Sequence, residues 1–597
     1  MDRRGLIRLA AKGAAAGVAI AAGGTFAGSM AGVAVAAPVP GPDPLRGMPR
    51  SLALSVPRGI DGDAPLPPLP DLLAEGRLSP PSRRIPYAQG APTGRAAREV
   101  PAALPFAFNR SGYTIAAELP EHLRPWRDRP KRYEDISPDE DKSFLDSEGV
   151  LQIREGRGKP GYDHPVSQIQ FGLACIASYR TEKDASRKAL FLTRAKAQAK
   201  RLIDRRVEAR GVWYFPYPFD YTHTEHSGID YKAPWYSGMA QGEAISLFIQ
   251  LSQLDAIADA ERALYRTAAD NAFASLLLGD EAYPWVVHKD AAGYLWIQEY
   301  PGARPGTGDF TYNGMIFAMF GLWDYYTATG NELALALYDG SASTIARYFP
   351  LLRNVRWHSY YCQTHRIPAP TYHQHHINLF RQLHWQTGSP DFAHHTDVLT
   401  DDYPSPYLRE GATVALAAGT HTLYRISTPA DGDWDRTTGD VELEQKKVAF
   451  TRATQAPADM RRRIKDRGIY YRLSAGAYSG WWVGESWPNS FLRGQYLTTA
   501  YRPQRTLTFP GGNQQTDVYR FTEDGTAVSI KTLSFSTPSN TSADRRAIVN
   551  GRPMYQITAG DLVGYWVPAT GVTADGQPAA RPWRRYPASA TDRHSAK

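Results

Sequence analysis

A carboxylate, several phenols and a knot of imidazoles stand at the junctions between loops and apolar-periodic segments of this sequence. Glu299 and Tyr300 lie in WIQEYPG (296–302). Tyr372, His373, His375, His376 and Asn378 lie in YHQHHINL (372–379), with Tyr360 and Tyr361 just upstream. Trp235, Tyr236 and Gln241 open WYSGMAQGEAIS (235–246), and Asn313 opens YNGMIFAMFGLWDYY (312–326). Carboxylate, phenol and imidazole are the side chains of general acid–base chemistry. Aromatic faces stack on sugar rings and amides bind hydroxyls, so the mixture suits an extended sugar chain better than it suits a core.

Each of these residues has an ordinary reading as well. A Glu–Tyr pair is common surface decoration, and Glu243 can face solvent. Gly238 and Gly242, four apart, allow close helix packing as readily as ligand access. Pro301 biases Tyr300 toward extended backbone and discourages helix there. His373 and His376 are three apart and can share a helical face. No third ligand accompanies them, and the His-Glu-x-x-His zinc pattern is absent. No metal and no cofactor is therefore expected, and no Gly-rich dinucleotide loop follows a strand.

These residues need a frame. Segments 165–180, 187–206, 236–253, 255–278, 312–329, 332–348 and 373–387 show helical apolar spacing or dense Ala/Leu content. Paired antiparallel, they predict an incomplete (α/α) toroid over 161–405, with its long aromatic loops gathered above a central cleft. Residues 38–95 are Pro/Gly-rich and read as a linker or wrap. Residues 96–160 read as a small β or irregular region packed on the helices.

From about 406 the period becomes that of strands, and the sequence repeats. KKVAF…GWWV (446–483) matches KTLSF…GYWV (531–567). Phe450 aligns with Phe535, Tyr471 with Tyr555, Gly480 with Gly564 and Trp482 with Trp566. Two copies of one β unit are expected, 406–490 and 491–570. Their aromatics read mainly as core, and the tail 571–597 as disordered.

A chain of 597 residues with 42% apolar content has length for two or three domains. The 14 Trp and 34 Tyr fit a carbohydrate-facing surface or a large aromatic core. Residues 1–37 carry a twin arginine (Arg3, Arg4), an Ala/Gly-rich stretch and small residues before Ala36 and Ala37. This reads as a twin-arginine secretion signal, giving an extracellular protein with no stable membrane insertion. Without that leader the net charge falls from +8 to +5, with no basic aromatic stripe. That argues against nucleic acid and fits an acidic polysaccharide. Only Cys175 and Cys362 are present. They suit one disulfide or two buried thiols, and no cysteine-based metal site is expected.

At these motifs the sequence resembles the D-glucuronyl C5-epimerases that act on heparosan-type glycosaminoglycans. The resemblance spans roughly 160–400, the family's helical C-terminal domain. The family's Trp-Tyr-Ser-small-Met-Ala-Gln-Gly looks like Trp235 to Gly242. Its Glu-Tyr-Pro, Asn-Gly and Gly-Leu-aromatic-Asp look like Glu299 to Pro301, Asn313–Gly314 and Gly321 to Asp324. Its Tyr-His-x-x-His-Ile-Asn is similar to Tyr372 to Asn378, and its upstream Tyr corresponds to Tyr360, with Tyr361 second. Four departures stand out. The β-rich domain before the helices is short and Pro-rich here. The C-terminal β units are added. The Tyr360–Tyr372 loop is shorter than in animal members, and an Arg after the upstream Tyr is missing.

The resemblance implies that glucuronate in a heparosan-like polymer is converted to iduronate. Removing the C5 proton makes an enediolate-like dianion that needs hydrogen-bonding or cationic partners, and inversion needs an acid/base group on each ring face. Carried over, Glu299 is the base and Tyr372 the opposite proton donor, with Tyr300 and Tyr360 assisting. Trp235, Tyr236, Gln241, Arg304, Asn313, Arg356, His373, His376 and Asn378 are the expected substrate contacts. Free Tyr and Glu titrate near about 10 and about 4.3, so the site must shift one of them. Partial burial would raise the Glu, or a field from His373, His376 or Arg304 would lower the Tyr; Arg356 and Lys232 are further carboxylate partners. The same enediolate permits β-elimination by a lyase. A glycoside hydrolase would need a second carboxylate, for which Asp309 and Glu225 are candidates, and a non-catalytic glycan binder would need none of this chemistry. Animal members are dimers, which implies a homodimer here.

Overall fold

The computed structural model of the chain describes residues 84–85, 104–136, 144–153, 161–223, 230–426, 443–464 and 467–576. The expected secretion signal (1–37), nearly all of the 38–95 wrap and residues 577–597 of the expected 571–597 tail lie outside those residues, while Thr573–Ala574 of that tail form a strand. The chain divides into two compact units, Met1–Leu352 with Tyr360–Ile367, and Arg353–Ser359 with Pro368–Lys597.

Helices of the first unit begin and end where capping chemistry allows. Helix α1 (Pro165–Thr181) has Pro165 in its first turn, and the His164 ring accepts the Ser167 N–H at 3.1 Å. Asp184 caps α2 (Ala185–Arg205) through the Arg187 N–H at 2.8 Å. Ser237 caps α3 (Gly238–Ser252), and α4 is Asp259–Leu276. Helix α5 (Tyr312–Thr329) stops at Gly330, whose φ of 69° is left-handed. Helix α6 is Glu332–Leu352.

Each hairpin pairs neighbouring helices (α1/α2, α3/α4, α5/α6), and α3 also packs on both α1 and α5. The difference in burial follows from that arrangement. Every residue of α3 is buried, whereas α2 buries little beyond Phe191, Ala195, Gln198, Ala199, Leu202 and Ile203. An inner row flanked by an outer row is the layout that a partial (α/α) toroid requires.

The α3–α5 seam depends on two glycines. A Cβ added at Gly321 would land on the Gly242 carbonyl, and one added at Gly242 would meet the Ala318 backbone. Gly242 therefore serves helix approach, whereas a Cβ at Gly238 would meet Gln298 O and Ile297 Cγ2. The 104–136 segment closes the unit. Trp126 stacks on Phe317 at 5.5 Å. The buried Asp339 accepts Arg110 Nε at 2.7 Å and the N–H groups of Ser111 and Tyr113.

Between α4 and α5 the chain makes two short antiparallel ribbons. Val287–Lys289 pairs with Leu295–Ile297, and Tyr300–Pro301 pairs with Gly308–Asp309. Glu299 lies in the link between them. The Gly238 N–H donates to Gln298 O at 2.7 Å and ties that link to the start of α3. Segment Tyr360–Ile367 adds an isolated bridge, Thr311 to Cys362, and a bond from Gln363 N to Phe310 O at 3.1 Å.

The second unit holds α7 (Pro370–Thr387), α8 (Pro390–Asp402) and two seven-stranded antiparallel sheets. The first sheet contains β1 (Thr413–Leu416), β2 (Gly419–Ile426), β3 (Leu443–Phe450), β4 (Thr454–Ile464), β5 (Gly468–Leu473), β6 (Trp482–Gly484) and β7 (Ser490–Leu492). The second contains β8 (Gln495–Phe509), β9 (Gln515–Phe521), β10 (Ala527–Ser534), β11 (Ser539–Val549), β12 (Arg552–Ile557), β13 (Trp566–Pro568) and β14 (Thr573–Ala574). Their orders are β3-β2-β6-β5-β4-β1-β7 and β10-β9-β13-β12-β11-β8-β14, so each strand recurs seven later. Register recurs too. Tyr471 faces Val483 and Tyr555 faces Val567. Trp482 and Trp566 are both buried, as the core reading of the repeat aromatics requires.

Among the described residues, no helix is long and apolar enough to cross a membrane. Gly321→Ala forces the α3–α5 seam apart, and overpacking of that kind costs about 1–3 kcal/mol. The urea midpoint of the full chain should fall by the matching amount with an unchanged slope. An unaltered midpoint would remove the seam from the account.

Candidate active site

Glu299 is only 2% exposed, and its Oε2 is the focus of several donors. Thr311 Oγ1 donates at 2.9 Å, Asn313 Nδ2 at 3.3 Å and the Tyr361 hydroxyl at 3.4 Å. Thr311 and Asn313 are placed by the start of α5, and Tyr361 by the 360–367 segment. Gly314 leaves the room, since a Cβ there would collide with Glu299 Cβ at 2.5 Å. Desolvation raises the Glu299 carboxyl to about 7. Hydrogen bonds from Thr311, Tyr300 and Tyr361 oppose that rise, and the charge of Asp309 adds to it. The result is a carboxyl group that exchanges its proton near neutral pH.

Asp309 is fully buried two residues before Thr311. Burial alone would raise its carboxyl, but hydrogen bonds from His223 and His365 hold it well below the usual carboxylate range. His223 Nδ1 meets Asp309 Oδ2 at 2.7 Å, and His365 Nδ1 lies 3.1 Å from Oδ1. Cys362 Sγ lies 3.3 Å from His365 Nδ1. Two adjacent carboxyls are thus set apart, one ionised and one poised to titrate. Cys175 and Cys362 are buried thiols, not a disulfide, and desolvation raises both. The expectation of no cysteine-based metal site rested on there being two cysteines. It counted sulfur ligands alone, whereas Cys362 joins His365 and Asp309 in one group of ligand atoms.

The structure sorts the remaining expected residues. Tyr300 is buried beside His223, with ring centroids 4.7 Å apart. Tyr361, not Tyr360, turns its phenol to Glu299, while the Tyr360 ring lies 5.0 Å from the Arg366 guanidinium. Trp235 is not an open sugar platform. Its ring stacks on Tyr217 at 3.8 Å and its Nε1 donates to Phe219 O. Tyr236 is buried against Tyr214. Gln241 spends its amide on Phe215 N, Trp213 O and Ser275 Oγ, so it clamps backbone. Arg304 is exposed in the turn closed by Thr307. Lys232 is exposed and paired with Asp220 at 3.0 Å. Glu225 lies outside the described residues.

In the second unit, Tyr372 is buried in the first turn of α7, its ring 5.9 Å from that of His375. His373 is also buried. Its Nδ1 accepts the Ser359 N–H at 2.9 Å, and its Nε2 meets Leu399 O at 3.0 Å. His376 Nδ1 meets Ser359 Oγ at 2.8 Å. Burial lowers His373 to about 4 and His376 well below its ordinary value. Neither is a cation at neutral pH, which corrects their expected role as a positive field. Asn378 is exposed and holds Arg381. The Arg356 N–H donates to Asp402 at 2.9 Å.

Four residues carry more than their sequence setting suggested. His223 and His365 have no motif around them beyond the Cys362-x-x-His365 spacing. Gln298 is buried, and neither end of its amide has a partner among the described residues. Glu243 does not face solvent. It is fully buried in α3, with Oε1 accepting Gln170 Nε2 at 2.8 Å and Oε2 without a partner among the described residues. Desolvation raises it well above the ordinary value, which favours its neutral form.

Residues 209–399 match the family model of the D-glucuronyl C5-epimerase C-terminus. That segment contains Trp235, Glu299, Asp309, Thr311, Asn313, Tyr361 and Tyr372. The family resemblance carried by the motifs and the family model coincide there. No curated protein matches the chain. Among solved structures, a glycoside hydrolase family 76 mannosidase from Bacteroides thetaiotaomicron is similar at 13% identity and a TM-score of 0.28. It aligns over 41% of this chain and 60% of its own. An unsaturated glucuronyl hydrolase from Streptococcus agalactiae is similar at 13% identity and a TM-score of 0.27, over 40% and 58%. The chain thus spans less than two thirds of either structure, and TM-scores this low bear no weight for fold or chemistry.

The raised Glu243 carboxyl has a measurable signature. A carboxyl raised on folding stabilises fully below its unfolded value of 4.5. That stability is lost as pH rises toward the folded value, by about 1.4 kcal/mol per pH unit. Glu243→Gln should therefore flatten the decline of unfolding free energy above that point, read from urea curves at several pH values. Parallel profiles would show that Glu243 is ionised in the folded chain.

Proposed function

We propose that this protein is a polysaccharide uronate C5-epimerase that converts D-glucuronate to L-iduronate in a heparosan-like polymer. The observation that carries the reading is the Glu299 carboxyl, raised by desolvation to about 7 and surrounded by phenol, hydroxyl and amide donors. It lies inside the segment that matches the epimerase family. A base that must take and return a proton near neutral pH works best when its own value lies there.

In this reading Glu299 takes the C5 proton and becomes a neutral acid. The C–H electron pair moves into the substrate carboxylate as an enediolate. A phenol returns a proton to the opposite face of C5, leaving a phenolate that regains its proton from solvent as Glu299 releases its own. Atoms and charge balance, and chain length is unchanged. Thr311, Asn313 and Tyr361 fix the Oε2 edge of the base, so its orientation is set before the sugar arrives. The family motif assigns the returning proton to Tyr372. Tyr300, beside Glu299 in sequence and hydrogen-bonded to it, tunes the base. The polymer is an acidic glycan, in keeping with the modest positive charge of the chain.

Incubation of the full chain with N-acetylheparosan in deuterated water tests the reading. Deuterium should enter at C5 with polymer length conserved. Glu299→Gln should lower incorporation by about 100-fold or more, the scale of a lost general base, and Tyr372→Phe should do the same. An unsaturated uronate absorbance would mean β-elimination, and new reducing ends without that absorbance would mean hydrolysis. Either result, or exchange unaffected by Glu299→Gln, would overturn the epimerase reading.

A further inference from the structure

We propose that Asp309, Cys362 and His365 form a binding site for a divalent transition-metal ion of the zinc class, beside Glu299. One ligand atom from each of Asp309, Cys362 and His365 lies within 4.8 Å of the other two. His365 Nδ1 is 3.1 Å from Asp309 Oδ1 and 3.3 Å from Cys362 Sγ. Tetrahedral zinc, with bonds of about 2.0–2.3 Å, places its ligand atoms about 3.3–3.8 Å apart. Small movements suffice to close the shell.

Donor chemistry supports this choice. One ring nitrogen faces both a carboxylate oxygen and a sulfur, and it carries at most one proton to share between them. A cation would meet all three lone pairs at once. Thiolate and imidazole select zinc-like ions over calcium or magnesium, which take oxygen ligands. Binding displaces the thiol proton and leaves His365 protonated on its other nitrogen, so protons are released to solvent.

The surroundings resemble a built site in three further ways. Cys362 and His365 are separated by two residues, a separation as short as that of paired ligands in structural zinc sites. The His365 backbone N–H donates to Cys362 Sγ at 3.3 Å and fixes the sulfur beside the ring. His223 holds the other oxygen of Asp309 at 2.7 Å, the carboxylate–histidine pairing that orients metal ligands from outside the shell. Asp309 and Cys362 are fully buried, while the His365 side chain is 24% exposed and offers a way in. The ion would pin the 309–311 turn to the 361–365 segment, and those two segments carry Thr311 and Tyr361 to Glu299. Its role is positioning. Its test does not read turnover, so its failure and that of the epimerase reading are distinguishable.

Equilibrium dialysis of the full chain against zinc or cobalt(II) should load about one ion per chain. The cobalt form should show a near-ultraviolet sulfur-to-cobalt charge-transfer band with tetrahedral visible bands. Cys175→Ser should keep that band, and Cys362→Ser should lose it. His223→Gln should weaken binding by about 10–100-fold. Absence of uptake, a cobalt spectrum without the sulfur band, or a band that survives Cys362→Ser would overturn the proposal. If Cys362→Ser fails to fold, wild type and Cys175→Ser decide, since both must show the band.

Discussion

The Glu299 carboxyl is denied water and surrounded by donors, and the chemistry of the first unit follows from that balance. Removal from solvent favours its neutral form, whereas Thr311, Tyr300 and Tyr361 favour the charged form. Moving a carboxyl from 4.5 to about 7 corresponds to about 3 kcal/mol of differential stabilisation. Had the donors won outright, the group would be a permanent anion and a weak base. Had burial won outright, it would be a permanent acid. Only the intermediate outcome allows proton exchange at neutral pH.

That balance needs a rigid frame, because a donor at 3.4 Å loses its effect with a small displacement. The frame is the inner helix row. Glycines at 242 and 321 bring α3 and α5 into backbone contact, and α5 in turn presents Asn313 from its first turn with Thr311 just ahead of it. The ribbon Tyr300–Pro301 with Gly308–Asp309 holds the other side. Aromatic residues that looked like sugar platforms serve this frame instead. Trp235 on Tyr217, with Tyr221 and Tyr231 nearby, makes a packed aromatic wall.

The helices were legible because their apolar spacing is long and their ends are punctuated. The expected 312–329 segment is helix α5 residue for residue, and 165–180 differs from α1 by one residue. Helix α8 was not anticipated. Its DFAHHTDVLTDD stretch is rich in His, Thr and Asp, so only Phe392, Ala393 and Leu399 mark a weak apolar face, although Ser389–Pro390 is a clear start signal. The repeat was legible through Phe450/Phe535 and Trp482/Trp566, and the matching strand orders give it physical form. Site residues were harder to read. A motif names residue types, but burial decides whether an imidazole is charged or an amide faces a ligand. His373, His376, Gln241 and Glu243 all turned on burial, which local sequence does not reveal. Asp309 and His365 are 56 positions apart, and only the fold brings them together.

The central claim is that Glu299 titrates near neutrality in the folded chain. Carboxyl-region difference infrared spectroscopy of wild type against Glu299→Gln, followed across pH, reads that group directly. A protonated-carboxyl band that disappears with a midpoint of about 7 is the result this structure predicts. A midpoint near 4.5, the ordinary value, would contradict it and leave Glu299 a structural anion.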